Sequence, residues 1–226
     1  VTRDHVIVLP GGGYTRISDN ESTTIVAWLE TLGLSASYFA YPVGTRHPAV
    51  LEAVRGEIRA RREAGADRIA LLGFSAGGHA AGHATLAPGA ADDERVDLAL
   101  LCYPVVSMML PTHQVSRETL LGADATPEAR AAASVDLLVT PDAPPFFVWH
   151  TAEDPVVPVQ HSYLLGMALA AAGVRHALHV FPNGRHGLNL ARAAGDGDAA
   201  LWTGLAESWL REEGWLPAPP DPRTPR

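Results

Sequence analysis

The stretch Gly73-Phe74-Ser75-Ala76-Gly77 constrains this chain more than any other five residues. It follows an apolar, strand-like run, Arg68-Ile69-Ala70-Leu71-Leu72, and opens a small-residue, helix-like run over 78–87. A serine on a sharp strand-to-helix turn is held in a strained backbone conformation with its hydroxyl exposed. Glycines two residues to either side let neighbouring chain approach closely without a Cβ clash.

The rest of the chain alternates in the same way. Strands are expected at 5–9, 36–40, 68–72, 96–102, 145–150 and 176–181, and helices at 21–32, 48–64, 159–172 and 196–213. Gly33, Gly65 and Gly173 sit just past the ends of three of these helices, and Pro48 suits a first turn. Such alternation argues an α/β fold: a doubly wound, mostly parallel sheet with helices on both faces. With 226 residues, one domain over 1–216 is expected. Residues 104–142 form a long connection with short helical pieces, expected to be a small cap over a pocket. The proline-rich tail, 217–226, is expected to be disordered.

Composition excludes several chemistries. All 17 basic residues are arginine, so neither a P-loop lysine nor a Schiff-base lysine exists. A net charge of -8 gives no footprint for nucleic acid or an anionic membrane. No run is long and apolar enough to span a bilayer. The lone Cys102 lies in an apolar run and forbids an intrachain disulfide. No signal peptide precedes the first strand, so a cytoplasmic location is expected.

A serine hydroxyl needs a base to take its proton, and the base needs a group that fixes its tautomer. In doubly wound hydrolases the chain order is serine, acid, histidine, each in a loop at the carboxyl end of a strand. Asp154 follows the strand that ends at His150, and His186 follows the strand that ends at Phe181, in a loop with Gly184 and Gly187. Ser75, Asp154 and His186 satisfy both order and placement, with Glu153 as the substitute acid. The loop Pro10-Gly11-Gly12-Gly13-Tyr14 follows the first strand, and its amides can converge on an oxyanion together with that of Ala76. The loop does not fit a dinucleotide fingerprint, because Arg16 stands at the third glycine position. Activity is expected to fall as His186 protonates at low pH.

These motifs, with Tyr103-Pro104-Val105-Val106, His150-Thr151-Ala152-Glu153-Asp154 and His186-Gly187, resemble the α/β-hydrolase esterases over residues 5–212. Within them the chain is similar to the acetyl-xylan esterase-like carbohydrate esterases, which include the feruloyl-esterase-like group. The resemblance implies hydrolysis of short acyl esters, often acetyl groups on sugars, without metal or other cofactor. It implies Ser75, Asp154 and His186 as the triad, and Gly12, Gly13 and Ala76 as the oxyanion hole. It also implies two N-terminal strands that are expected to be missing here, which would open a sheet edge to solvent or to a second copy in a homodimer. The family's His-Glu pair after the glycine loop is replaced by Ser18-Asp19-Asn20-Glu21.

Two other readings stand beside the esterase: an amide hydrolase acting on an arylformamide or peptide with the same triad, and a non-catalytic binding module. Among the other histidines, His79 and His83 have a metal-ligand spacing on one helix but no glutamate between them, and are expected to pack or hydrogen-bond. His176 and His179 point to opposite faces of a strand. His150 either supports the acid loop or fills the core. Trp202, Trp209 and Trp215 are expected in the core rather than on a sugar platform.

Overall fold

Alternating apolar runs become six strands and seven α-helices among residues 3–193 and 196–218, which the computed structural model describes. The elements are β1 (Asp4–Leu9), α1 (Thr23–Thr31), β2 (Ser35–Tyr38), α2 (Ala49–Glu63), β3 (Arg68–Phe74), α3 (Ala76–Leu86) and β4 (Leu98–Cys102). They continue with α4 (Gln114–Leu121), α5 (Pro127–Ala132), β5 (Phe146–Thr151), α6 (Gln160–Ala171), β6 (His176–Phe181) and α7 (Trp202–Glu212). The tail expected to be disordered falls, from residue 219, outside the described residues.

All strand pairs are parallel, in the order β2-β1-β3-β4-β5-β6. Period-two alternation sends successive side chains to opposite faces, and each face has its own core. Val6, Val8, Leu72, Phe74 and Trp149 pack with Ile25 and Trp28 of α1 and with Trp202 and Leu210 of α7. Ile7, Leu9, Leu71, Leu101 and Val148 pack with Val50, Val54 and Ile58 of α2, Ala80 and Ala81 of α3, and Leu165 and Leu169 of α6. The α2 residues recur every four positions, as an amphipathic helix requires. Trp202 stacks on Trp149 with ring centroids 5.2 Å apart, and Trp209 and Trp215 are buried beside it. All three tryptophans are core residues.

Two helix boundaries differ from the sequence pattern. The first helix starts at Thr23, because Asp19–Glu21 form a tighter 3-10 turn that carries Glu21 inward. The last helix is preceded by a 3-10 segment, Gly197–Leu201, whose Gly197 has φ +56°.

Strand order reverses at β1. The chain leaves β1 for β2 on one side and returns to β3 on the other. At such a switch point the loops after neighbouring strands diverge and leave a crevice at their carboxyl ends. The glycine loop after β1 and the serine turn after β3 therefore meet. Edge strand β2 pairs only with β1 and leaves Tyr38 exposed. No helix of the described residues is long and apolar enough to cross a membrane.

Candidate active site

Ser75 stands between β3 and α3 with φ +54° and ψ -115°, the strained turn expected from its flanking glycines. Those glycines are sterically required. A Cβ on Gly73 would lie 2.3 Å from the carbonyl oxygen of Gly77, and one on Gly77 would lie 2.1 Å from that of Leu9. The Ser75 amide donates to Cys102 at 3.0 Å, tying the turn to β4.

The three candidate side chains come together. His186 Nε2 lies 2.7 Å from Ser75 Oγ, and His186 Nδ1 lies 2.6 Å from Asp154 Oδ2. Asp154 Oδ1 accepts the amides of Val156 and Val157 at 2.8 and 2.9 Å. His150 Nε2 faces both Asp154 Oδ2 at 3.2 Å and the Val157 carbonyl at 3.1 Å. A carbonyl only accepts, so Nε2 carries a proton, and Nδ1 shares a hydrogen bond with the Ser162 hydroxyl at 2.8 Å. His150 thus supports the acid and is also fully buried. Burial by itself pushes the Asp154 carboxyl up. The hydrogen bonds from His150, His186 and Val157 outweigh it and hold the group well below the usual carboxylate range. Glu153 is exposed, and His186 turns to Asp154.

The glycine loop forms the facing wall. Gly12 and Gly13 have φ +128° and +64°, and a Cβ on Gly12 would collide with the Arg16 carbonyl at 2.1 Å. Among the described residues, the amides of Gly12, Gly13 and Ala76 donate to no protein acceptor. Gly12, Gly13 and Ser75 border a cleft of about 690 Å³. Its other walls include Arg16, Asp19 and Asn20 after the glycine loop, His113 and Val115 from the 104–142 segment, Val156, and Arg185 beside His186.

His79 and His83 hydrogen-bond as expected. The Nε2 atoms donate to the carbonyls of Ala133 (2.7 Å) and Ala132 (3.2 Å). No cluster of three or more metal-binding side chains occurs among the described residues. The sequence singled out residues 18–21 only as the place of the family's His-Glu pair without its histidine, and gave Glu21 no role. Expected at the start of the first helix, Glu21 is buried against the glycine loop.

Over residues 51–209 the chain matches the prolyl oligopeptidase family. It is 34% identical over 211 residues to endo-1,4-beta-xylanase B of Butyrivibrio fibrisolvens, which covers 84% of this chain and 33% of that protein. The chain thus spans about a third of that relative's length. Its structure is similar to that of the acetyl ester-xyloside bifunctional hydrolase from Caldicellulosiruptor lactoaceticus, with a TM-score of 0.88, 38% identity, and 95% and 85% of the two chains covered. It is also similar to the carboxylesterase Cest-2923 from Lactobacillus plantarum, with a TM-score of 0.82, 29% identity, and 97% and 89% covered.

Proposed function

The chain belongs to the prolyl oligopeptidase family of α/β-hydrolases, and we propose that it is a serine esterase that removes short acyl groups, acetyl above all, from carbohydrate esters. The observation that carries this reading is the continuous hydrogen-bonded line Ser75–His186–Asp154 at the edge of an open cleft. The ester activity and sugar substrate named for the similar hydrolases support the substrate class.

In this reading Ser75 Oγ attacks the ester carbonyl carbon while His186 Nε2 takes its proton. The developing oxyanion takes hydrogen bonds from the amides of Gly12, Gly13 and Ala76. One such donor contributes about 3 kcal/mol to the barrier reduction. The protonated imidazole, steadied by Asp154, returns the proton to the departing alcohol. A water molecule then attacks the acyl-enzyme, giving its proton to His186, and the carboxylic acid leaves as Ser75 is regenerated. Residues 104–142 act as a small cap, supported by the placement of His113 and Val115 in the cleft wall.

The test is hydrolysis of p-nitrophenyl esters from acetyl to octanoyl, beside Ser75→Ala. Fast acetyl turnover that disappears in the variant, followed by turnover of acetylated xylo-oligosaccharides, supports the reading. Folded protein with no turnover and no Ser75 labelling by a phosphonate refutes it. The family's name favours a second reading, an amide substrate. Comparing an aryl acetate with the matching anilide separates the two. The same proposal includes a homodimer through the open edge of β2, which a monomeric mass in solution would remove. It also includes a cytoplasmic location, checked by cell fractionation.

A further inference from the structure

Glu21 is 3% exposed and pairs with no cation among the described residues. A carboxylate so placed is costly unless donors satisfy it. Here two do. Oε2 accepts the Gly11 amide at 2.9 Å, and Oε1 accepts the Tyr103 hydroxyl at 2.6 Å. The Tyr103 oxygen accepts the Asn189 amide at 3.0 Å. Gly11 adjoins Gly12 and lies against the nucleophile: a Cβ placed on it would stand 3.2 Å from Ser75 Cβ. Asn189 belongs to the loop of His186, and the Tyr103 ring stands edge-on to that imidazole with centroids 5.0 Å apart. Tyr103 holds φ +37°, a conformation that a bulky residue keeps only where its surroundings over-determine it.

We infer that Glu21 is a positioning residue, whose carboxylate ties the oxyanion loop through Gly11 to the His186 loop through Tyr103 and Asn189. The inference rests on the esterase reading above. Two oxygens that both accept are what the place requires. A glutamine can turn its oxygen to Gly11, but its amide then faces Tyr103 and leaves the phenol proton without an acceptor. Donors and base would then lose their common anchor, and a small misplacement at a reacting centre is expensive in rate.

The experiment compares wild type with Glu21→Gln, Glu21→Ala and Tyr103→Phe. It measures kcat and KM on p-nitrophenyl acetate, the rate of Ser75 phosphonylation by an aryl phosphonate, and Tm. The expected result is a kcat about tenfold lower in Glu21→Gln and Tyr103→Phe and about a hundredfold lower in Glu21→Ala, with KM nearly unchanged. Phosphonylation should slow in proportion to kcat/KM. Should Glu21→Ala fail to fold, the other two variants carry the test. Folded Glu21→Gln and Tyr103→Phe with wild-type kcat and phosphonylation overturn the inference, whatever their Tm. So does a raised KM at unchanged kcat, which would put Glu21 in ground-state binding. Wild type that the phosphonate leaves unlabelled overturns the esterase reading itself.

Discussion

Tyr14 and His79 share a buried hydrogen bond, with the hydroxyl 2.6 Å from Nδ1. The other ring nitrogen donates to the carbonyl of Ala133 at 2.7 Å, and burial keeps the imidazole neutral, so Nδ1 accepts from the phenol. Tyr14 directly follows Gly13, and Ala133 caps the C-terminus of the short helix α5 in the 104–142 segment. His79 therefore joins the glycine loop to that segment from beneath the serine turn. One turn later His83 donates to the Ala132 carbonyl of the same segment at 3.2 Å.

This arrangement makes the fold sensitive to acid. Burial, helped by neighbouring His83, lowers the His79 pKa to about 3, and burial lowers that of His83 to about 4. Unfolded histidine takes a proton near pH 6.5, whereas these two resist until the fold is far more acidic. Between those values the unfolded chain binds more protons. Stability therefore falls as pH drops below 6.5, by up to about 1.4 kcal/mol per pH unit for each histidine, and is unaffected above it. Urea denaturation at pH 7.5 and 4.5 measures the loss. His83→Gln should reduce the pH-dependent part by about 2 kcal/mol, and a slope equal to wild type would refute the assignment.

Gly77→Ala and Gly204→Ala should move stability in opposite directions. The first sets a methyl 2.1 Å from the Leu9 carbonyl oxygen, in a contact made by backbone on both sides. The second adds a methyl to helix α7 where nothing lies within 4 Å. Gly77→Ala should cost about 3 kcal/mol or more. Gly204→Ala should gain up to about 1 kcal/mol from helix propensity. Denaturant midpoints of the two purified variants decide. A neutral Gly77→Ala would mean that the turn can spread without cost.

Asp154→Asn probes orientation rather than charge supply alone. With its carboxyl held below the usual range, Asp154 is ionised throughout the pH range in which an imidazole titrates. An acid limb of kcat/KM above pH 5 therefore belongs to a histidine, and lies in the direction of lost activity as pH falls. An asparagine offers His186 an amide that can stabilise the wrong tautomer, and kcat should drop about 10³–10⁴-fold with the fold intact. Activity within about tenfold of wild type would remove Asp154 from the role of orienting acid.

The meeting of Ser75, Asp154 and His186 was legible because its signal is local and ordered: a serine between required glycines, then an acid and a histidine each just past a strand. Neighbouring interactions were not legible for a physical reason. Glu21 stands at the start of the first expected helix, and only the convergence of the chain after β1, which carries Gly11, with the chain after β4, which carries Tyr103, gives its carboxylate two donors. His150 could be read as core or as support, and the structure makes it both. The α1 boundary differs at the same place, where the 3-10 turn Asp19–Glu21 has Glu21 as its buried residue.

His113 should set the length of the acyl group. In the proposed mechanism a carbonyl oxygen held by the Gly12 and Gly13 amides places its acyl carbon next to Gly13, where the His113 ring stands. Its Cε1 would stand 3.1 Å from a Cβ on Gly13. The ring is fixed by a 2.8 Å hydrogen bond between Nδ1 and Ser116, and burial together with nearby His186 lowers its pKa, so it is a neutral wall at pH 7. His113→Ala removes that wall. Each additional methylene that becomes buried is worth about 0.8 kcal/mol, or about fourfold in kcat/KM. The butanoyl-to-acetyl ratio of kcat/KM should therefore rise about tenfold in the variant, through gain on butanoate rather than loss on acetate. A ratio that does not move would place the acyl chain elsewhere in the cleft, toward Val115 and Val156, and leave His113 with no part in acyl selection.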